Sequence, residues 1–404
     1  YIYRRVVASV TGNMQKTVLL TLGRLPKALE LARALHSAGC RVLVADPFST
    51  HLARPSRSVT KSFRVTAPNN DLDAFHNDLL EIITSETVDL IIPVSEEALY
   101  VSLLRPGLPD HASIFGPSFG TLQNLHNKQR FQEIVAEAGL TPIPTASAKT
   151  SEALALSEAN ESVVKPILGC SGTGLAFFEQ GQVPPPSMLT RDNLVQKRIR
   201  GREICCQTIA RRGEVRGTIL YEGLAHSGTV AVSFSRVDGA PQVEAWIQKF
   251  VHHLNFDGFI AFDFIIDEDG NPWPLECNPR LTSGIHFMDH GDLAAATLGL
   301  DLSQPIRVKS ATRFQEGHTA LLTAYGDILK PVSMFRQLGR VFSTPDVLWR
   351  WSDPLPFLLM TPMSWPVLKQ VMFDGVGFGE AATSDVEWRE PARATMSRLC
   401  GEYV

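Results

Sequence analysis

The stretch from Gly258 to Arg280, GFIAFDFIIDEDGNPWPLECNPR, constrains the fold and chemistry of this chain more than any other part. Two largely apolar runs flank the turn residues Glu-Asp-Gly-Asn, a pattern that predicts a β-hairpin. Asp263 interrupts the first run, and Glu276 and Asn278 end the second. Because burying unpaired carboxylates costs several kcal/mol, this placement predicts a compensating cation.

The same three side chains offer only hard oxygen ligands. Carboxylate and amide oxygens suit Mg²⁺, which often also binds substrate phosphates. Arg280, two residues after Asn278, would present a planar guanidinium to a phosphate or carboxylate at the same place. Taken alone, the pattern fits an ordinary hairpin with solvated acids equally well.

Composition excludes several classes of protein. The 404 residues are 44% hydrophobic and 20% charged, which is typical of a globular protein with two or three domains. A formal net charge of -4 argues against a general nucleic-acid binder. Six cysteines without a CxxC pair predict neither a disulfide framework nor a zinc site, and they favour a cytoplasmic location.

Neither end of the chain predicts a membrane span. Residues 1–15 lack the apolar core of a secretory signal, although the chain starts without Met and leaves open an upstream segment. The most apolar later run, Pro354 to Leu368, holds four prolines. At about 15 residues it is shorter than the roughly 20 that a spanning helix needs. We expect this run to pack against the body of the protein or a partner.

The first 120 residues alternate between predicted strands and helices. A strand at Thr17–Leu22, a helix at Pro26–Ser37 and a strand at Arg41–Ala45 form a βαβ unit, which implies a parallel sheet. A further helix is predicted at Leu72–Ser85. No GxGxxG follows the first strand, so nicotinamide chemistry is disfavoured for this Rossmann-like domain.

After residue 120 the predicted strands and helices no longer alternate regularly. One long helix is predicted at Leu122–Ala138 and another at Val243–Leu254. From Ser162 onward, short apolar runs separated by glycine turns predict antiparallel strands. After Leu300 the chain reads as helix and loop without repeats.

A second motif joins Lys165 to the small-residue loop from Gly169 to Gly174. A lysine at a strand end followed by such a loop can place one cation and several backbone N–H groups around phosphate oxygens. The loop is not a Walker A motif, because its lysine precedes the glycines. A glycine-rich hairpin turn is the alternative interpretation.

A third motif runs from Gln196 to Ile199 and continues with Gly201-Arg202-Glu203. An extended segment of this kind can present backbone N–H and C=O groups to a purine edge, with a carboxylate following for the ribose hydroxyls. Charged residues around one glycine are also common in solvated turns.

The order of these motifs, together with the spacing from Asp263 to Glu276, resembles the ATP-grasp superfamily between about Lys128 and Arg280. The resemblance implies an α/β ATP-grasp fold, in which two α+β subdomains clamp ATP, after a Rossmann-like pre-grasp domain and before a helical C-terminal extension. The implied domains are the pre-grasp domain at 1–120, the small subdomain at 121–195, the central subdomain at 196–305 and the extension at 306–404.

The resemblance also implies a role for each motif residue. Arg280 and Lys165 would be catalytic, with Arg280 stabilising the phosphorylated intermediate. One or two Mg²⁺ ions, with Mn²⁺ as a substitute, would bind to Asp263, Glu276 and Asn278. The ATP phosphates would be bound by Lys128, Lys165, Ser171, Gly172 and Gly174. Adenine would be contacted by Gln196, Lys197 and Ile199, and the ribose by Glu203.

Two details qualify the resemblance. Many members carry a basic or polar residue two places before the first metal ligand, where this chain has Ala261. Glu276-Cys277-Asn278-Pro279-Arg280 is most similar to the ligases of mycosporine-type pathways, which attach an amino acid to a small cyclic acceptor.

The expected function is therefore an ATP-dependent ligase. It would phosphorylate a carboxylate or vinylogous acid and couple it to an amine, with an amino acid as the expected amine, in natural-product or peptide-like small-molecule biosynthesis. The alternatives are a non-catalytic ATP-binding sensor or scaffold, and a carboxylase or carbamoyl-phosphate-type enzyme. The expected partners are small molecules, not nucleic acid or membrane. The sequence leaves two alternative roles open for residues 310–404: a lid over the acceptor site, or a homodimer surface.

Overall fold

The computed structural model describes residues 15–169, 174–227, 230–302, 306–317 and 344–390, without the side chains of residues 226, 227 and 230. Ser171 and Gly172 of the predicted phosphate loop lie outside the described residues. The chain divides into two compact units. The first unit holds the described parts of Tyr1–Phe119, Gly223–Ser235 and Arg280–Val404, and the second holds those of Gly120–Glu222 and Arg236–Pro279.

The described elements are numbered in chain order. The strands are β1 (Thr17–Leu20), β2 (Arg41–Asp46), β3 (Lys61–Arg64), β4 (Leu90–Ile92), β5 (Ser113–Ile114), β6 (Thr145–Ser147), β7 (Ser162–Pro166), β8 (Ala176–Phe178), β9 (Asn193–Lys197), β10 (Arg202–Arg211), β11 (Glu214–Ser227), β12 (Val230–Val237), β13 (Gly258–Ile266), β14 (Pro272–Asn278) and β15 (Arg313–Gln315). The α-helices are α1 (Pro26–Ser37), α2 (Leu72–Ser85), α3 (Ala98–Ser102), α4 (Phe119–His126), α5 (Lys128–Glu137), α6 (Ser151–Ala159), α7 (Pro241–His253), α8 (His290–Leu298), α9 (Leu355–Leu358), α10 (Met360–Met363), α11 (Trp365–Phe373) and α12 (Phe378–Thr383).

The first unit contains the predicted parallel sheet, with strand order β3-β2-β1-β4-β5. Strand β1 is central and fully buried, as expected for a strand covered on both faces. Helix α1 starts at Pro26, whose missing N–H costs nothing in a first turn. Helix α2 starts after Asp71, whose carboxylate accepts a hydrogen bond from the Ala74 backbone N–H at 3.0 Å.

The second unit contains two antiparallel sheets. The smaller sheet has the order β6-β9-β7-β8, and in the larger one β10 lies between β11 and β13, with β14 beyond β13. Helices α5 and α7 cover the larger sheet with an aromatic core. Its rings include Phe131, Trp246, Phe250, Phe262 and Phe264, and the ring centroids of Trp246 and Phe264 are 5.0 Å apart. This core supports the hairpin β13–β14.

The prediction of a single helix at Leu122–Ala138 is wrong, because the structure has two separate helices there, α4 and α5. Asn127 lies between them and has an extended backbone. Its side-chain oxygen accepts hydrogen bonds from the backbone N–H groups of Gln129 at 3.0 Å and Arg130 at 2.9 Å. This N-cap starts a new helix and places Lys128 at its first position.

The remainder of the first unit follows residue 280. A 3₁₀ helix at Ser283–Phe287 precedes α8, and β15 pairs antiparallel with β12, which places Gln315 opposite Ser233. The apolar run that begins at Pro354 forms the short helices α9, α10 and α11. None of the described helices is long and apolar enough to cross a lipid bilayer.

Candidate functional site

The hairpin β13–β14 brings the three predicted metal ligands together. Asp263 lies directly opposite Glu276, and Ala261 lies opposite Asn278. The Asn278 amide Nδ2 donates to Asp263 Oδ2 at 3.2 Å and to Glu276 Oε1 at 3.3 Å. Two carboxylates from adjacent strands therefore converge on one amide side chain.

A bulge in β14 shapes this cluster. Phe264 is paired with Pro274 and Asp263 with Glu276, so Leu275 is an extra residue in the ladder. The Leu275 carbonyl accepts a hydrogen bond from Lys165 Nζ at 3.2 Å. This bulge was not predicted from the sequence, although prolines at 272 and 274 within one predicted strand are a signal for an irregular ladder.

A second link joins β14 to α5. The carbonyl of Pro274 accepts a hydrogen bond from Gln132 Nε2 at 2.7 Å. Gln132 lies one helical turn after Lys128, on the same face of α5. Gln132 therefore fixes the helix that carries Lys128 against the strand that carries Glu276, a contact that no sequence motif indicated.

Lys128 and Lys165 flank the acid pair. Lys128 Nζ donates to the Gly169 carbonyl at 2.6 Å and lies 3.7 Å from Glu276 Oε2. Lys165 is buried, with 6% of the residue exposed. The two predicted phosphate lysines thus lie beside the predicted metal ligands, one at the start of α5 and one on β7.

The electrostatics of this group are strongly coupled. Burial raises the pKa of Asp263, and the negative charge of Glu276 raises it further. Burial alone would also raise the pKa of Glu276, but Lys128 and Lys165 hold that pKa below its ordinary value. Burial lowers the pKa of Lys165 to about 8. A pair of like charges in this setting is stabilised by any added cation.

The donor set fits magnesium. Mg²⁺ is commonly held by one or two carboxylates, with phosphate and water oxygens completing its octahedron. Asp263 and Glu276 supply the carboxylates, and Asn278 supplies an amide. No cluster of three or more His, Cys, Asp or Glu side chains suited to a metal ion occurs in the described part of the chain, so a site built wholly from such residues is not found there.

The predicted nucleotide residues lie on the smaller sheet and the start of β10. Gly174 has a φ of +76°, and a Cβ added there would lie 3.2 Å from Pro166 Cγ, so this position requires glycine.

The residues predicted to contact adenine and ribose already have protein contacts or partial exposure. Gln196 is buried, and its Nε2 donates to Thr145 Oγ1 at 2.9 Å. The Lys197 backbone N–H donates to the Pro144 carbonyl at 2.9 Å. Ile199 is half-buried and Glu203 exposed. Their adenine and ribose contacts stay predictions.

Arg280 belongs to the first unit, where its Nε lies 2.7 Å from Glu96 Oε1. Glu96 follows β4 and is 5% exposed. This ion pair was not anticipated from the sequence, and the role of Arg280 toward a phosphorylated intermediate stays a prediction. Ala261 is 1% exposed and supplies neither the basic nor the polar side chain that many ATP-grasp members have at this position.

Comparisons with known proteins agree with the predicted fold. The ATP-grasp domain family matches residues 125–284. No curated protein matches the chain significantly. Among solved structures, the biotin carboxylase domain dimer of Hydrogenobacter thermophilus 2-oxoglutarate carboxylase, in complex with MgADP, ADP and bicarbonate, has a TM-score of 0.59 at 16% identity, covering 74% of this chain and 73% of that chain.

Two further structures have the same fold. N5-carboxyaminoimidazole synthetase from Staphylococcus aureus, complexed with ADP, has a TM-score of 0.57 at 17% identity, covering 74% of this chain and 82% of that chain. Biotin carboxylase from Campylobacter jejuni has a TM-score of 0.58 at 15% identity, covering 74% of each chain. The predicted fold is confirmed, and the chain contains an ATP-grasp domain at residues 125–284.

Proposed function

We propose that this protein is an ATP-dependent ligase that phosphorylates a carboxylate, or a vinylogous acid, and couples it to an amine with release of ADP and phosphate. We place its product in natural-product or peptide-like small-molecule biosynthesis, with an amino acid as the amine. The proposal rests on one observation above all. Asp263 and Glu276 share the Asn278 amide, Glu276 lies 3.7 Å from Lys128, and Lys165 contacts the carbonyl of the neighbouring Leu275.

The electrostatic demand of phosphoryl transfer supports this assignment. Catalysis depends on positioning and on neutralising charge around the transferred group, more than on covalent chemistry by the protein. Magnesium held by Asp263, Glu276 and Asn278 would supply Lewis-acid charge neutralisation when bound. The chain itself contributes Lys128 and Lys165, which would bind phosphate oxygens.

The two lysines are oriented before ATP binds. Lys128 donates one hydrogen bond to the Gly169 carbonyl, and Lys165 donates one to the Leu275 carbonyl. An ammonium group has three N–H donors, so a carbonyl contact orients the group and leaves donors for phosphate. A phosphate beside Lys165 would favour its charged form, which burial otherwise disfavours. Arg280 would then stabilise the acyl-phosphate type of intermediate.

The first experiment measures ADP and phosphate release from Mg-ATP across pairs of small acids and amines, with bicarbonate among the acceptors. We expect turnover only when one acid and one amine are present together. ADP formation at the full rate without any acceptor would contradict the ligase. Tight ATP binding without turnover for every pair would favour the sensor or scaffold, which Ala261 supports. Turnover with bicarbonate alone would favour a carboxylase.

Glu276→Gln tests the metal site directly. This change removes a ligand charge but almost no volume, so we expect kcat to fall about 100-fold or more while the circular dichroism spectrum is unchanged. Glu268→Gln is the matched control, because Glu268 is exposed in the turn of the same hairpin. We expect wild-type turnover from the control. Wild-type turnover from Glu276→Gln would show that the acid pair does not act in catalysis.

A further inference from the structure

Glu30, a buried carboxylate on α1, contacts basic side chains from three other segments of the first unit. His290 Nε2 lies 2.5 Å and Arg350 Nη2 3.1 Å from its Oε1, and Lys309 pairs with the same oxygen. His286 Nδ1 lies 3.2 Å from Oε2. Three of the four basic groups therefore converge on one carboxylate oxygen, which has only two lone pairs to offer them.

The negative charge of Glu30 is shared between two cations. Lys309 and Arg350 both pair with this carboxylate, and His290 adds a third positive charge whenever it is protonated. Arg350 pairs with no other acid in the described part of the chain. One carboxylate cannot neutralise two full positive charges, so the contacts of Glu30 leave a positive charge that an added anion would stabilise.

Nearby acids do not supply the missing charge. Asp353 is bound by Arg33 and by Ser56 Oγ at 2.7 Å. Asp346, which Arg33 also stabilises electrostatically, accepts hydrogen bonds from three backbone N–H groups. Those donors are Gly317, Leu348 and Trp349. Neither acid pairs with Arg350 within the described ranges.

Arg33 provides a buried donor that lacks an acceptor. It lies one helical turn after Glu30 on the same face of α1 and is 5% exposed. Its Nε and Nη2 bind the loop that carries Arg350, through the Asp353 carboxylate and the carbonyls of Leu348 and Asp353. Its Nη1 has no hydrogen-bond partner among the described residues. Because an unpaired buried N–H is costly, this atom calls for an oxygen from another molecule.

The cluster is closed on one side and open on another. His286 is 1% exposed, and its ring stacks on that of Phe234 with the centroids 5.9 Å apart. The side chains of His290 and Arg350 are 24% and 33% exposed. Toward the described residues Arg350 uses only Nη2, which leaves its Nε and Nη1 as donors. An anion can therefore approach from solvent and meet unused N–H groups.

We propose that His290, Lys309 and Arg350, together with Arg33, form a binding site for the carboxylate group of a small monoanion. A planar carboxylate matches the planar array of N–H donors that arginine presents. A single negative charge neutralises the cation that Glu30 leaves over. A phosphate dianion would bring a second negative charge close to the Glu30 carboxylate, which opposes its binding.

This site does not depend on the proposed ligase function. Its residues belong to the first unit, whereas the predicted metal ligands Asp263, Glu276 and Asn278 belong to the second. The test therefore omits ATP. It measures the thermal unfolding of the full chain while sodium acetate, formate or phosphate replaces sodium chloride at constant ionic strength, and calorimetric titration gives each Kd. We expect acetate and formate to raise the melting temperature along a saturable curve.

Arg350→Gln is the first variant, and Arg313→Gln, at an exposed position of β15, is the matched control. We expect Arg350→Gln to weaken acetate binding at least about tenfold, and Arg350→Lys, which keeps the charge but not the planar donors, to weaken it less. The control should bind acetate like the wild type. Circular dichroism checks that each variant folds, and His290→Gln replaces Arg350→Gln if that variant does not.

The outcomes separate a ligand site from a structural ion network. A saturable acetate effect that is lost in Arg350→Gln and kept in Arg313→Gln supports the site. Acetate that acts no differently from chloride on the wild type, or equally on Arg350→Gln, shows that the cluster serves only the fold and overturns the proposal. Phosphate that binds more tightly than acetate overturns the assignment to a carboxylate monoanion.

Discussion

At the scale of single residues, Glu30 on α1 is a buried carboxylate that contacts four basic side chains. His290 Nε2 lies 2.5 Å and Arg350 Nη2 3.1 Å from its Oε1, and His286 Nδ1 lies 3.2 Å from its Oε2. Lys309 also pairs with it. Burial alone would raise the pKa of Glu30, but Lys309 and the two histidines hold it well below its ordinary value. His286 and His290, four residues apart in the sequence, therefore both contact this carboxylate.

Glu30→Gln should therefore cost much of the stability of the first unit. The change leaves cationic Lys309 and Arg350 without their buried counter-charge, so we expect the free energy of unfolding to fall by about 3 kcal/mol or more. Glu86→Gln is the control, because Glu86 pairs with Lys61, whose side chain is 53% exposed. It should cost less than about 1 kcal/mol. Urea denaturation measures both, and equal losses would contradict the special role of Glu30.

At the scale of elements, periodicity and capping residues predicted the isolated helices well. The bounds predicted for α1 and α2, Pro26–Ser37 and Leu72–Ser85, agree with the structure, because proline or aspartate marks each start. The irregular features were missed. A cap at Asn127 and a bulge at Leu275 each depend on one or two residues, and both place site side chains. Periodicity averages over several residues and cannot detect them.

Gly201, at the entry to β10, sets the register between β10 and β13. Arg202 pairs with Ile266, and a Cβ added to Gly201 would collide with the Ile266 carbonyl oxygen. Because that atom belongs to the backbone of the hairpin strand, it cannot move aside cheaply. We expect Gly201→Ala to lower the free energy of unfolding by about 2 kcal/mol.

The control for this change is Gly107→Ala, since a Cβ at Gly107 would meet no atom within 4 Å. Thermal and urea unfolding should give a wild-type value for the control. We also expect Gly201→Ala to weaken ATP binding, since Glu203 follows on the same strand. Wild-type stability in Gly201→Ala would show that the strand entry can shift without cost.

At the scale of the whole molecule, motif order was enough to predict the ATP-grasp domain and the fold. Which segments of the chain make up each unit was not predictable, because the first unit combines segments that are hundreds of residues apart. Arg24 pairs with both Asp46 and Asp385, and Arg33 pairs with Asp353. Sequence patterns report local neighbours, whereas ion pairs between distant segments leave no periodic trace.

The pair Arg33–Asp353 leads to a prediction about cooperativity. Arg33 lies on α1, and Asp353 accepts hydrogen bonds from Arg33 Nε at 2.9 Å and from Ser56 Oγ at 2.7 Å. Both charged residues are buried. Asp353→Asn leaves the guanidinium without its counter-charge, so we expect a loss of about 3 kcal/mol and reduced hydrogen-exchange protection in α1, far from the mutation in sequence.

Asp374→Asn, at an exposed position after α11, should change neither quantity and serves as the control for this experiment. The physical reason for expecting a distant effect is that α1 is held on one side by the parallel sheet and on another by residues 348–353, through Arg33. Loss of protection confined to residues 344–390 would instead show that the C-terminal segment unfolds separately. In that case the N-terminal sheet would be stable without it, and the first unit would be two folding units.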